Sequence, residues 1–319
     1  MTMKKLLIIV GFLIMGVQTL FAQQDPMFTQ YMFNMNALNP AYAGSNEVIN
    51  TSALFRRQWL GINGSPTTGT FSVDAPFLQN KLGMGLMVAM DKVGKTQTFD
   101  IMSQYAYRIK TDEKGRLAFG LQAGVTQYAF KGAEVNYASN ATVTGSDPTF
   151  GENISRILPN VGIGVWFNNE NLYIGASIPR LINHQFTENI QGIPAGELGK
   201  AKQFRHYFIT TGYVFTLNET LKLKPSVLLR GVEAAPISFD LNANLWYQER
   251  FGFGLSYRNS SSLNAILEFH PTNQLRVSYA YDFATTGIRR NTSGSHEMMI
   301  RYQFRKNKND DIIISPRLF

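Results

Sequence analysis

Between Ile237 and Tyr247 the chain reads ISFDLNANLWY. Successive side chains of an extended strand point to opposite faces, so Ile237, Phe239, Leu241, Ala243 and Leu245 share one face and Ser238, Asp240, Asn242 and Asn244 the other. A strand of a soluble protein rarely keeps so clean a contrast over so many residues. The alternation recurs in LRVSYAYDF, where Leu275, Val277, Tyr279, Tyr281 and Phe283 oppose Arg276, Ser278, Ala280 and Asp282, in FGFGLSYR from Phe251, and in MMIRYQF ending at Phe304.

Extending this reading over the whole chain gives about fourteen strands, each of the length a tilted membrane strand needs. They are expected near 46–56, 67–75, 81–91, 97–110, 115–130, 157–167, 171–179, 203–217, 220–230, 237–247, 250–259, 262–269, 274–285 and 295–305. The connections test the count. An outer-membrane barrel alternates short periplasmic turns with longer outer loops. If the chain enters strand one from the periplasm, every even-numbered connection must be short, and FLQNK, TDEKG, the Asn168–Glu170 turn, NE at Asn218, QE at Gln248 and HPTN at His270 all are. The long connections, 131–156, 180–202 and 286–294, fall on odd numbers.

A β-sandwich or propeller is the soluble alternative, but it must hide its apolar faces against another layer and has no reason to sort loop length by parity. Aromatic residues make up 13% of the chain. Many lie near strand ends (Tyr105, Tyr107, Phe167, Tyr257, Phe269, Phe283, Phe304), as interface girdles require. The expected fold is all-β: a transmembrane antiparallel β-barrel of about fourteen strands over 46–305, with an N-terminal luminal or periplasmic segment.

Ahead of the strands, Lys4 and Lys5 precede the apolar run Leu6–Val17, and Ala22 offers a small residue before Gln23. Residues 1–22 therefore read as a cleaved secretory signal peptide, the alternative being a single membrane anchor. No later apolar run approaches the length of a spanning helix, which excludes a helical membrane protein. The chain has no Cys, so neither disulfides nor thiolate metal sites hold it together. A formal charge of +8, part of it in the leader, is weak reason to expect nucleic acid and a better one to expect acidic surfaces or lipid headgroups.

The strand residues carry no recognisable chemistry. Arg108, Gln122, Lys222, Lys224, Arg230, Asp240, Arg258, Glu268, Arg276, Asp282 and Arg301 lie on polar faces, where they either line a selective path or pair within a hydrated lumen. The pairs Gly83/Gly85, Gly162/Gly164 and Gly252/Gly254 lack the strand, Gly-rich turn and helix of a phosphate site, and are expected to relieve crowding at bends or to face aromatic neighbours. His184, His206, His270 and His296 are too scattered for a metal pair. No Ser, His and acid set suggests a membrane-embedded lipid hydrolase. No catalytic residue, cofactor or metal is expected. The long outer loops, with Tyr137, Phe150 and Phe186, contain more apolar side chains than flexible spacers do and read as a docking surface.

The most distinctive stretch is DPMFTQYMFNMNALNPAYAG, Asp25 to Gly44, which is uncharged after Asp25 yet rich in amides and aromatics. With its compact NPAYAG at Asn39–Gly44, with FRRQWLGINGSPTT from Phe55 to Thr68 and with the closing SPRLF, the chain resembles the PorP/SprF family of outer-membrane proteins of the type IX secretion system. The resemblance implies a barrel that performs no chemistry. It further implies service in secretion and gliding motility, with either periplasmic ring components or one secreted adhesin bearing a type B C-terminal sorting domain as partner, the other contact being outer-membrane lipid.

Residues 23–45 then form a segment with two possible places. It can plug the lumen, its amides satisfying polar wall groups while Phe28, Tyr31, Phe33 and Tyr42 pack, or it can run as a periplasmic strap across the barrel floor. The signature positions are Phe28, Gln30, Tyr31, Asn39, Pro40, Tyr42 and Gly44, of which Pro40 and Gly44 set the turn into strand one. Arg56, Arg57, Gln58 and Trp59 follow at the strand end, either to contact an acidic partner segment or to anchor the rim at the headgroups. Residues 306–319 read as a periplasmic tail. The rival to an anchoring barrel is an outer-membrane transporter for a small or hydrophobic solute, with the N-terminal segment as a movable hatch.

Overall fold

The computed structural model describes residues 26–111, 115–131, 153–186, 201–202, 204–233, 235–259 and 261–304. Fourteen strands make up the wall: β1 Ile49–Arg57, β2 Thr67–Phe77, β3 Leu82–Val93, β4 Thr96–Lys110, β5 Arg116–Lys131, β6 Asn153–Asn168, β7 Leu172–Ile178, β8 His206–Tyr213, β9 Leu221–Val232, β10 Ser238–Tyr247, β11 Phe251–Arg258, β12 Ser262–Phe269, β13 Leu275–Ala284 and β14 Ser295–Phe304. Each pairs antiparallel with its sequence neighbours. The last pairs with the first, from Ile49 opposite Phe304 to Arg57 opposite His296, so the sheet closes on itself. Closure leaves no open edge, the condition for a sheet in hydrocarbon.

All fourteen expected strands are present, with ends displaced by a few residues. β1 starts at Ile49 because Glu47, at φ +61, belongs to a turn. β8 breaks at Val214 before two more paired residues, Phe215–Thr216. A two-residue pair, Gln185–Phe186 with Ala201–Lys202, extends the β7–β8 connection.

Connections 78–81, 111–115, 169–171, 217–220, 248–250 and 270–274 are all short and lie at one end. The long ones, 58–66, 132–152, 179–205 and 285–294, leave from the other. In bacterial barrels the short-turn end faces the periplasm. Most of the two longest loops, with Tyr137 and Phe150, lies outside the described residues, as do the leader 1–22 and the tail 306–319.

The sides of the wall are inverted relative to a soluble protein. Within β10 the polar Asp240, Asn242 and Asn244 are buried, whereas Leu241 is 46% exposed; on β11, Leu255 is 57% exposed. Exposed apolar side chains occur on all fourteen strands, far beyond the patches a soluble monomer tolerates. Hydrocarbon is the solvent in which that exterior costs nothing, and it explains why the period-two pattern is so sharp.

Candidate functional site

The interior is occupied. Residues 26–45 run through the lumen from its long-loop third to the short-turn end, in three short 3-10 turns at Tyr31–Phe33, Met35–Ala37 and Pro40–Tyr42. The segment has no apolar periodicity to favour an α-helix. Pro40 takes the first position of the last turn, where its missing N–H costs nothing, and the Asn39 side chain caps that turn by accepting from Ala41 N at 2.9 Å.

Near the long-loop end the wall supplies all the charge. Arg258 donates to Phe28 O at 2.9 Å, and Glu297 accepts the backbone N–H groups of Thr29 and Gln30 at 2.9 and 2.8 Å. The Thr29 hydroxyl donates to Asp282 at 2.7 Å. Arg56 sits between both carboxylates, 2.5 Å from Asp282 and 2.8 Å from Glu297. Beside it Asp240 bridges Arg230 and Arg258, at 2.8 and 2.9 Å. Charged hydrogen bonds of this kind are roughly twice as strong as neutral ones, and ions buried this deeply each need a partner.

Midway, Asn34 donates to Thr70 at 3.2 Å, Asn36 to Asp74 at 2.7 Å, and Gln104 to Asn36 O at 2.6 Å. The Tyr31 and Ser226 hydroxyls are bonded at 3.2 Å. Phe33 packs edge-on against Trp246, centroids 6.4 Å apart, under the Arg301 guanidinium 4.4 Å from its ring. Arg301 in turn pairs with Glu268, which also accepts from Trp246 Nε1 at 2.8 Å.

At the short-turn end Asn39 donates to the carbonyls of Val165 and Ala176 at 3.0 and 3.3 Å, and Ser177 donates to Leu38 O at 2.6 Å. Gly44 N donates to Asp74 at 2.7 Å, and Arg108 to Ala43 O. Tyr42 meets Trp166 edge-on at 5.1 Å. Here the backbone lies directly on the wall: a Cβ on Gly83, Gly120 or Gly164 would collide with Ala43 O, Ala41 N or Asn39 Oδ1 respectively. Gly44 turns the chain into β1 at φ +69, where a side chain would also strike Ala75 O.

Phe28, Gln30, Tyr31, Asn39, Pro40 and Tyr42 are thus all buried among wall residues. The FRRQW block, by contrast, is divided. Arg56 points inward and is 1% exposed, so it is not a rim residue. Arg57, one position on, faces outward; Gln58 N closes the next loop on Pro66 O at 2.9 Å, and Trp59 N binds Ser295 Oγ at 3.1 Å. Of the glycine pairs, Gly252 faces an aromatic, Trp246, as expected, but Gly83 and Gly164 make room for the N-terminal segment.

Asp74, Glu297, Gly120 and Ser177 escaped the sequence reading, although alternation along SHEMMIRYQF places Glu297 on the face of Arg301. What it could not supply was their common partner. Among the described residues no cluster of His, Asp or Glu could hold a metal ion.

Several solved structures match the chain over most of its length at low sequence identity. The Acinetobacter baumannii outer membrane protein Omp33 is 10% identical, with a TM-score of 0.45, covering 81% of this chain and 98% of its own. A Pseudomonas aeruginosa FadL homologue is 12% identical, with a TM-score of 0.43, covering 88% and 95%. No curated protein matches the chain. The family model for the type IX secretion system membrane protein PorP/SprF matches residues 20–302. With that match covering nearly the whole barrel and the segment inside it, the chain belongs to the PorP/SprF family of type IX secretion outer-membrane proteins.

Proposed function

We propose that this protein serves type IX secretion as a closed, non-enzymatic barrel that holds a secreted protein at the cell surface. Its partner in this reading is a large adhesin with a type B C-terminal sorting domain, engaged at the long-loop end where Arg57 and Trp59 lie. Periplasmic components of the secretion machine are the second partner, at the short-turn end, and surrounding lipid is the third. Nucleic acid has no place in it.

The observation that carries this reading is the continuous bonding of residues 28–44 to wall groups, from Arg258 and Glu297 at one end to Asp74 and Arg108 at the other. A conduit would have to break these charged and buried bonds with each passage. A docking barrel keeps them and gains rigidity.

The test is gentle detergent extraction of the protein tagged in the 285–294 loop, followed by mass spectrometry of what accompanies it. One large surface protein with a C-terminal sorting domain would support the adhesin role. Periplasmic ring components alone would move the role to the secretion machine, and a barrel recovered alone that conducts in planar bilayers would favour a transporter with an N-terminal hatch.

A further inference from the structure

On the outside of the wall, in its long-loop half, lies a groove of about 610 Å³. The outward series runs Leu241, Ala243, Leu245 on β10 and Leu263, Ala265, Leu267 on β12, and the register sets the two alanines level with each other on either side of Leu255. One row of the exterior is therefore low between two bulky ones, and rows stand about 7 Å apart along the strands. Tyr257 and Phe283 border the groove on the loop side, and Tyr281 borders it on β13.

Above it stands the 285–294 connection, which is fixed to the groove's own side chains. The Tyr281 hydroxyl donates to Ser293 O at 2.9 Å, and the Arg289 guanidinium lies 4.8 Å from the centre of the Phe283 ring. Arg289 and Arg290 share one short 3-10 turn, Gly287–Asn291, and both are exposed. No acid occurs between Asp282 and Glu297, and those two point into the lumen, where Arg56 holds them. Two guanidinium groups at the end of an apolar groove suit a ligand with an anionic head and a hydrocarbon tail.

We propose that the groove is a site for one anionic, phosphate-bearing lipid of the outer leaflet, with an acyl chain over Ala243 and Ala265 and its phosphate at Arg289 and Arg290. Within hydrocarbon a groove gains nothing by excluding water, so its shape only seats the chain. Selectivity comes from the head, because a guanidinium takes two phosphate oxygens in parallel hydrogen bonds. The site depends on the barrel's placement in the outer membrane and not on the identity of any secreted partner.

Native mass spectrometry of the full detergent-purified barrel tests this, with phosphatidylglycerol and phosphatidylcholine of identical acyl chains as probes. One phosphatidylglycerol should stay bound at concentrations where phosphatidylcholine does not. Arg289→Gln should reduce its affinity roughly fivefold, the worth of one arginine near a membrane surface, and Ala265→Phe, which fills the groove, should remove the preference. Should Ala265→Phe not fold, the comparison of the two lipids and Arg289→Gln still decide. Equal retention of both lipids, or a preference that survives either variant unchanged, overturns the proposal. Displacement of the lipid by inorganic phosphate at equal concentration overturns it too, since the site would then take a free anion without the chain.

Discussion

Glu297, on the last strand, accepts the backbone N–H of Thr29 at 2.9 Å across 268 residues of sequence. The same carboxylate binds Gln30 N and Arg56, so one side chain ties the N-terminal segment to the strand pair that closes the barrel. The segment is thus bonded to both strands of the closing pair.

Glu297→Ala should be among the most damaging single changes. It leaves Arg56 with only Asp282 as a salt-bridge partner and leaves two backbone N–H groups without acceptors. Breaking one partner of a buried pair costs about 3–5 kcal/mol. Thermal unfolding in detergent should show a loss of that size, and Glu297→Gln, which keeps an acceptor oxygen, should lose less. Equal stability of all three proteins would contradict the arrangement.

Gly164→Val places a side chain where Asn39 Oδ1 now sits. The wall strands cannot retreat without losing their ladder, so the segment must lift. Protease should then cut between Met27 and Tyr42, a stretch expected to resist cleavage in the wild type. Gly69→Ala, with nothing within 4 Å of the added Cβ, is the matching control and should leave both stability and protection unchanged.

Removing residues 26–45 while keeping a signal peptide and the barrel should convert a silent protein into a conducting one. The wall would then present its Arg56–Asp282, Arg56–Glu297 and Arg258–Asp240 ion pairs to a water-filled lumen. Planar bilayer recordings give the comparison: the intact chain closed, the deletion open. Steady conductance from the intact chain would sink the closed-barrel reading.

Leu255→Arg tests the inverted wall. An exposed leucine of a soluble protein accepts arginine at little cost, but near mid-membrane the change costs about 2–4 kcal/mol. Folding of the urea-denatured barrel into vesicles should weaken by that amount. No effect would mean that the exterior does not face lipid.

How much of this was legible beforehand depends on the range of the interaction. Strand positions were read to within a few residues because inward and outward faces alternate locally, and the parity of the connections checked the count. β8 was the least regular, broken at Val214, since period two carries no sign of a local kink. Arg56 was misplaced at the rim: in FRRQW two arginines are adjacent, and alternation makes one luminal and the other external without saying which until the phase of β1 is known.

The sequence by itself determined that this chain forms a closed membrane barrel, because a two-residue period with an apolar outer face is a local property written strand by strand. Only the tertiary structure decided what fills it. The pairing of Glu297 with Thr29 and of Asp74 with Gly44, and the bed of Gly83, Gly120 and Gly164 under Asn39–Ala43, join residues far apart in sequence. No local pattern encodes them, and they arise because buried charge and backbone must find partners wherever the closed wall brings them.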